Sequence, residues 1–211
     1  MKQVCSFTKK YLLWIFILPL PVSASTPSNV HIESIVHGGS GCSDNKLQYR
    51  LNSDGSFLKV IFSGFKARTG PNISIRDKRK FCQLTINLKY PKNWTYTLAE
   101  VDTESFAWLD EGVSGEQSLS YYFSNEVFDS DFNKKISGPY SGPIQTRIRP
   151  LSEARFAPCS DNKPLNIKTA IKLKRDTELF PNAQGVIAAG NTDGYLTQKF
   201  GLIWKKCDQT D

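Results

Sequence analysis

The segment Phe81–Tyr90 constrains the fold most strongly, because its side chains alternate strictly between two kinds. One row holds the apolar positions Cys82, Leu84, Ile86, Leu88 and Tyr90, and the other holds Gln83, Thr85, Asn87 and Lys89. Successive side chains of a β-strand point to opposite faces, so this pattern predicts a half-buried strand. The apolar row begins with a cysteine, which makes the strand an anchor for a disulfide. We predict that it is the central strand of an all-β domain.

Residues 1–24 have the organisation of a secretory signal peptide. Lys2, Lys9 and Lys10 precede an apolar run, and small residues come just before a cleavage point after Ala24. The apolar run is shorter than the roughly 20 residues that a membrane-spanning helix needs, and no later stretch is long enough either. We therefore expect a single secreted domain, residues 25–211, located outside the cell or, in a bacterium, in the periplasm or at the cell surface.

The cysteines support the same compartment. One of the five cysteines, Cys5, leaves with the predicted signal peptide. The four that remain, in an exported chain, predict two disulfides. Four cysteines allow three pairings, and the sequence alone does not choose among them. We favour Cys42–Cys82 and Cys159–Cys207, each of which links a loop to a long strand in its own half of the chain.

Alternating segments separated by turn signals recur through the rest of the chain. The polar stretch Asn52–Ser56, between two apolar segments, is typical of a β-hairpin, and Asn191–Gly194 joins the last two strands. We count about ten to twelve short strands and no convincing amphipathic helix, a pattern that suits antiparallel sandwiches. The predicted fold is therefore an all-β, antiparallel two-sheet β-sandwich, or a jelly-roll-like variant of it, stabilised by two disulfides.

Several short motifs together resemble one known family. They include Gly38-Gly-Ser-Gly-Cys42, Arg79-Lys-Phe-Cys-Gln-Leu84, Gly138-Pro-Tyr140 and Trp204-Lys-Lys-Cys207. In combination they look like the secreted family catalogued as domain of unknown function 4360, which is found in fungi and bacteria. The resemblance runs through nearly the whole mature chain and includes all four cysteines. It implies a secreted, disulfide-bonded domain and implies no particular activity, and the chain departs from the family pattern at Thr103–Ser105 and Pro143–Pro150.

The sequence offers little for metal binding or catalysis. His31 and His37 lie six residues apart, about 20 Å along an extended strand, which is too far to hold one ion. We therefore expect no metal and no cofactor.

No serine or cysteine lies in a recognisable nucleophile setting. A pair of carboxylates for glycoside hydrolysis remains an alternative, with candidates Asp102, Glu104, Asp110, Glu111 and Glu116.

A cluster of cations and a set of aromatic residues are candidates for ligand binding. The cations Arg76, Lys78 and Arg79 suit an acidic polysaccharide or an anionic surface, although a solvated face explains them about as well. The same holds for a row of lysines, Lys168, Lys172 and Lys174.

The aromatic candidates are Trp94, Trp108 and Tyr140, which can form a platform for sugar rings if they are not part of the core.

The formal charge of +7 falls to +4 when the three lysines of the signal peptide are removed, so charge by itself is weak evidence for a polyanion. Nucleic acid is not an expected partner of an exported chain. We expect a secreted, non-enzymatic β-sandwich that binds an extracellular glycan or surface; the alternative is a secreted carboxylate-dependent hydrolase.

Overall fold

The computed structural model describes residues 26–43, 46–124, 132–149, 156–159, 162–189 and 195–207. The predicted signal peptide, residues 1–24, lies outside these ranges. Within them the chain forms twelve β-strands and one short 3₁₀ helix, Ile75–Lys78. The strands are β1 His31–Gly38, β2 Leu47–Leu51, β3 Phe57–Ser63, β4 Lys66–Thr69, β5 Arg79–Lys89, β6 Trp94–Leu109, β7 Val113–Phe123, β8 Phe132–Ser137, β9 Tyr140–Ile148, β10 Leu165–Arg175, β11 Gly185–Ala189 and β12 Tyr195–Lys206.

These strands form two antiparallel sheets. The five-stranded sheet has the order β1-β5-β10-β7-β8. The seven-stranded sheet has the order β2-β3-β12-β6-β11-β4, with β9 paired to β6. Apolar side chains from both sheets join one buried cluster, so the sheets share a core. The prediction of an all-β, two-sheet antiparallel sandwich is confirmed.

The predicted apolar row of β5 is buried, as the alternation requires. Cys82, Leu84 and Ile86 have no exposed surface, and Leu88 has 3%. The expectation that this strand is central is wrong, because β5 lies between the edge strand β1 and β10. The centre of the five-stranded sheet is β10, whose outward row includes Lys168, Lys172 and Lys174.

The two predicted disulfides are present, with Cys42 bonded to Cys82 and Cys159 bonded to Cys207. The glycine-rich loop explains how Cys42 reaches β5. Gly39 has a φ of 138°, and a Cβ there would lie 2.3 Å from the carbonyl oxygen of Phe81, so only glycine fits. The amide of Gly41 donates to the same carbonyl at 2.8 Å. The loop therefore lies directly against β5 and carries Cys42 to its partner.

The longest strand, β6, runs without a break through the polar stretch Thr103–Ser105. The structure shows one strand, Trp94–Leu109, which pairs with β12 and then β11 along one edge and with β9 along the other. Ser105 is buried, and its hydroxyl accepts a hydrogen bond from Gln117 of β7 at 2.5 Å. The polar Ser105 can therefore lie buried within the strand, because β7 of the opposite sheet supplies its hydrogen-bond partner.

Four aromatic rings pack together in the core around Tyr96. Its ring centroid lies 5.5 Å from that of Tyr90, 5.3 Å from that of Phe123 and 5.0 Å from that of Trp204. The indole of Trp204 donates to the carbonyl of Gly55 at 2.8 Å. Burial raises the pKa of Tyr90 to about 12 and the pKa of Tyr96 well above its ordinary value, because the charged phenolate would lose its hydration in the core.

Candidate functional site

The three aromatic candidates do not form one platform. Trp94 and Trp108 both lie on β6 but are 14 residues apart, about 46 Å along the strand. Trp94 belongs to the buried core with 9% of its surface exposed, whereas Trp108 is 41% exposed. Tyr140 is paired with the buried Leu109, so its side chain starts on the core side of the sheet, and its hydroxyl donates to the Pro143 carbonyl at 2.7 Å.

Trp108 instead lies on the outer face of the seven-stranded sheet. Its direct partners are Val186 on β11 and Ser141 on β9, and Phe106, two residues earlier on β6, faces the same way. Arg68 of β4 continues this row beyond Val186. Trp108 is therefore an exposed ring on a face that contains both apolar and polar side chains. The other two predicted aromatic candidates, Trp94 and Tyr140, do not lie on this face.

The predicted cationic cluster surrounds the 3₁₀ helix between β4 and β5. Asp77, in this helix, pairs with Arg68 at 3.3 Å and with Lys80 at 3.0 Å. The Lys80 hydrogen bond, helped by the charge of Arg68, lowers the pKa of the Asp77 carboxyl. The helix is thereby held between an edge strand of one sheet and β5 of the other. Lys78 is half-buried, while Arg76 and Arg79 are exposed.

Beside this helix the surface forms an open groove of about 510 Å³. It is lined by Ser40, Arg76, Arg79, Lys80, Phe81 and Lys168. We call it the Phe81 groove. Lys80 is engaged by Asp77, but no carboxylate of the described residues lies within ion-pair distance of Arg76, Arg79 or Lys168. The groove therefore combines an aromatic ring, 38% exposed, with three cations that have no anionic partner in the part of the chain described here.

The strand register explains why the groove has this composition. Phe81 must face outward because Cys82, the next residue, faces the core. Its direct partner on β10 is Ala170, and the cations Lys168 and Lys172 lie two residues to either side on the same face. The small alanine leaves the ring uncovered. Phe81 was not among the predicted site residues, although the alternation around Cys82 already placed it on the outer face.

The candidate carboxylates are mostly used for structure. Arg147 pairs with Asp102 at 2.6 Å and with Glu100 at 3.2 Å, and the hydrogen bond that Arg147 donates to Asp102 raises the pKa of Arg147. Asp110 accepts a hydrogen bond from the backbone amide of Gln184 at 2.7 Å. Glu116 belongs to the five-stranded sheet, away from the others.

Asp102 and Glu104 do come together, in an open groove of about 320 Å³ on the seven-stranded sheet. They lie two positions apart on the same face of β6, with Thr103 between them, about 7 Å along the strand. The described residues contain no group of three or more His, Cys, Asp or Glu side chains placed to hold a metal ion. Within the described ranges, no helix has the length and apolar character needed to cross a membrane.

Comparison with solved structures shows distant similarity only. A carbohydrate-binding module studied for specific mannan recognition, TmCBM27, has a TM-score of 0.34 at 10% identity, over 85% of this chain and 99% of that chain. An α-L-arabinofuranosidase, MgGH51, has a TM-score of 0.26 at 13% identity, over 80% of this chain and 23% of that chain. At TM-scores this low, the likeness says nothing about what the chain binds.

A curated relative and a family model match much more closely. An uncharacterized secreted protein of Arthroderma benhamiae is 32% identical over 190 residues, which cover 88% of this chain and 75% of the relative. The secreted relative and the two disulfides agree with the predicted export, and the chain is a secreted protein. The model of the family described as a domain of unknown function, DUF4360, matches residues 28–207. The resemblance inferred from the motifs is confirmed: the chain belongs to the DUF4360 family.

Proposed function

We propose that this protein binds an anionic extracellular polysaccharide at the Phe81 groove and does not turn it over. The observation that supports this proposal is the exposed Phe81 ring beside Arg76, Arg79 and Lys168, which have no carboxylate partner among the described residues. The groove also contains the hydroxyl of Ser40. Together these groups match the parts of an acidic sugar: an apolar ring face, charged carboxylates and hydroxyls.

Each part of the groove has a separate physical role. The Phe81 ring offers a flat apolar surface against which the carbon-bound hydrogens of a sugar ring can pack. The guanidinium groups of Arg76 and Arg79 can each donate two parallel hydrogen bonds to a carboxylate. Lys168 adds a point charge. Single exposed ion pairs contribute little, so the affinity depends on several acting together and weakens as salt screens them.

Arg79→Ala and Phe81→Ala are expected to weaken binding to polygalacturonate by about fivefold each, corresponding to roughly 1 kcal/mol per exposed contact. Isothermal titration calorimetry at low and high salt measures both the affinity and its salt dependence. Wild-type affinity should fall as salt rises, and the Arg79→Ala variant should show a smaller fall because one charge contact is missing. A neutral dextran of similar length should bind much more weakly.

Two further variants make this test specific. Lys66→Ala removes an exposed cation from β4 of the seven-stranded sheet, away from the groove lining, and should leave the affinity unchanged. Asp77→Asn removes the negative charge that pairs with Lys80 and Arg68, while the amide oxygen of equal size can still accept their hydrogen bonds and hold the helix in place. This variant should strengthen binding because the groove becomes more positive. Equal losses for Lys66→Ala and Arg79→Ala would show that only net charge matters, and the groove would then not be the site.

A second candidate function is hydrolysis of a glycan by Asp102 and Glu104. The observation that favours it is that both carboxylates line the same groove of about 320 Å³. Inverting glycosidases use two carboxyl groups roughly 6.5–9.5 Å apart, which includes the spacing of same-face neighbours on a strand. If this activity exists, Glu104→Gln should reduce the release of reducing ends from a polysaccharide panel by at least about a hundredfold. Absence of turnover by the wild-type protein across the panel would exclude this candidate for those substrates.

A further inference from the structure

We infer that the anionic ligand is a linear polymer, which continues from the Phe81 groove across the outer face of the five-stranded sheet to a second pocket at β8. This inference rests on the proposed function and specifies the length and path of the ligand. A single acidic sugar fills only the first groove, whereas a polymer reaches both.

A straight row of charged residues connects the two pockets. Arg79 on β5 is directly opposite Lys172 on β10, Lys172 is opposite Glu116 on β7, and Glu116 is opposite Lys135 on β8. Directly opposed residues of antiparallel strands project from the same face, so all four side chains start on the outer surface. With neighbouring strands about 4.8 Å apart, the Cα atoms of Arg79 and Lys135 are separated by about 14 Å.

The second pocket, with a volume of about 170 Å³, lies at the far end of this row. Its lining consists of three lysines, one carboxylate and small residues: Ser114, Gly115, Glu116, Lys135, Ser137, Lys172 and Lys174. No ion pair within the described part of the chain neutralises these lysines. The pocket is therefore cationic, and it shares Lys172 with the row that leads back to Arg79.

The surface between the pockets allows a chain to lie flat. The next row across the sheet contains Phe81, Ala170, Ser118 and Asn133, again directly opposed in register. After the aromatic ring, these side chains are small or polar, so they present no steric barrier and can hydrogen-bond to hydroxyls. Glu116, in the middle of the charged row, can accept hydrogen bonds from sugar hydroxyls between two charged groups. This arrangement favours a carboxylated polysaccharide, in which hydroxyls and charges are interspersed.

Chain length tests the inference. Wild-type protein is expected to bind a long oligogalacturonate fraction at least about tenfold more tightly than digalacturonate, because the second pocket is engaged without a second loss of translational freedom. The double variant Lys135→Ala/Lys174→Ala should lose most of this gain, about fivefold or more, while its affinity for digalacturonate stays at the wild-type value. Isothermal titration calorimetry with both ligands measures this difference.

Lys134→Ala is the matched control. Lys134 is the neighbour of Lys135 on β8 and is also exposed, but it pairs with the buried Gln117 and so starts on the opposite face. The Lys134→Ala variant should therefore prefer the long oligogalacturonate fraction over digalacturonate by the same factor as the wild type. If digalacturonate binds and depends on Arg79, but the gain with length is absent or survives in the double variant, the polymer path is wrong and the proposed function stands. If neither ligand binds, the proposed function itself fails.

Discussion

Tyr96→Ala is expected to lower the free energy of unfolding by about 3–5 kcal/mol, which is the usual cost of removing a large buried aromatic ring. Tyr96 has no exposed surface and contacts the rings of Tyr90, Phe123 and Trp204. These partners come from both sheets and cannot all move into the space left by the ring, because the interior is closely packed. Urea denaturation followed by tryptophan fluorescence measures the loss as a lower midpoint with an unchanged slope.

Tyr96→Phe separates the ring from its hydroxyl. The hydroxyl is buried and has no hydrogen-bond partner among the described residues. Its removal is therefore expected to change the free energy of unfolding by less than about 1 kcal/mol, or to stabilise the fold slightly. A loss of more than about 2 kcal/mol in Tyr96→Phe would contradict the structure at this position, since a loss of that size requires a hydrogen-bond partner.

Removal of the Cys42–Cys82 disulfide by the double variant Cys42→Ala/Cys82→Ala is the second large effect. The bond closes a segment with a sequence separation of 40 residues. In the chain-entropy account, a loop of this length stabilises the folded state by about 4 kcal/mol, because the bond restricts the unfolded chain. Cys82 is also fully buried, so the variant loses packing between the sheets. Denaturation of the purified variant beside the wild type gives the difference.

The Cys159–Cys207 pair provides the comparison. Its sequence separation of 48 residues predicts nearly the same entropic effect, about 4 kcal/mol, for Cys159→Ala/Cys207→Ala. A reducing agent breaks both disulfides. It should therefore lower the free energy of unfolding of the wild type by more than either double substitution does. If the wild type were equally stable with and without reductant, neither bond would constrain the unfolded chain in solution, and this account of the stability would be wrong.

The sandwich separates the candidate binding surfaces onto different sheets. The Phe81 groove and the lysine row lie on the outer face of the five-stranded sheet, while Trp108 and the carboxylates Asp102 and Glu104 lie on the seven-stranded sheet. The two faces also differ in charge character, since the first is mainly cationic and the second contains paired acids and arginines. Variants on one face can therefore be tested without disturbing the other.

Local alternation in the sequence was sufficient to determine the fold class, the buried row of β5 and the disulfide anchor at Cys82. These features depend on the period of two residues, which is a property of a single strand. The predicted disulfide pairing is confirmed, although the sequence alone leaves three pairings open. The prediction that β5 is central was wrong, because sheet order depends on contacts between segments far apart in the chain.

The candidate site shows the same division between local and long-range information. The sequence by itself determined that Phe81 faces away from Cys82 and that Lys168 and Lys172 share a polar face, because alternation alone decides these directions. Only the tertiary structure decided that these residues meet, since the pairing of β5 with β10 sets their register. The tertiary structure also decided that Trp94 is buried in the core while Trp108, on the same strand, is exposed. Burial depends on which elements pack against a face of the strand, and the assembly of the whole sandwich sets that packing.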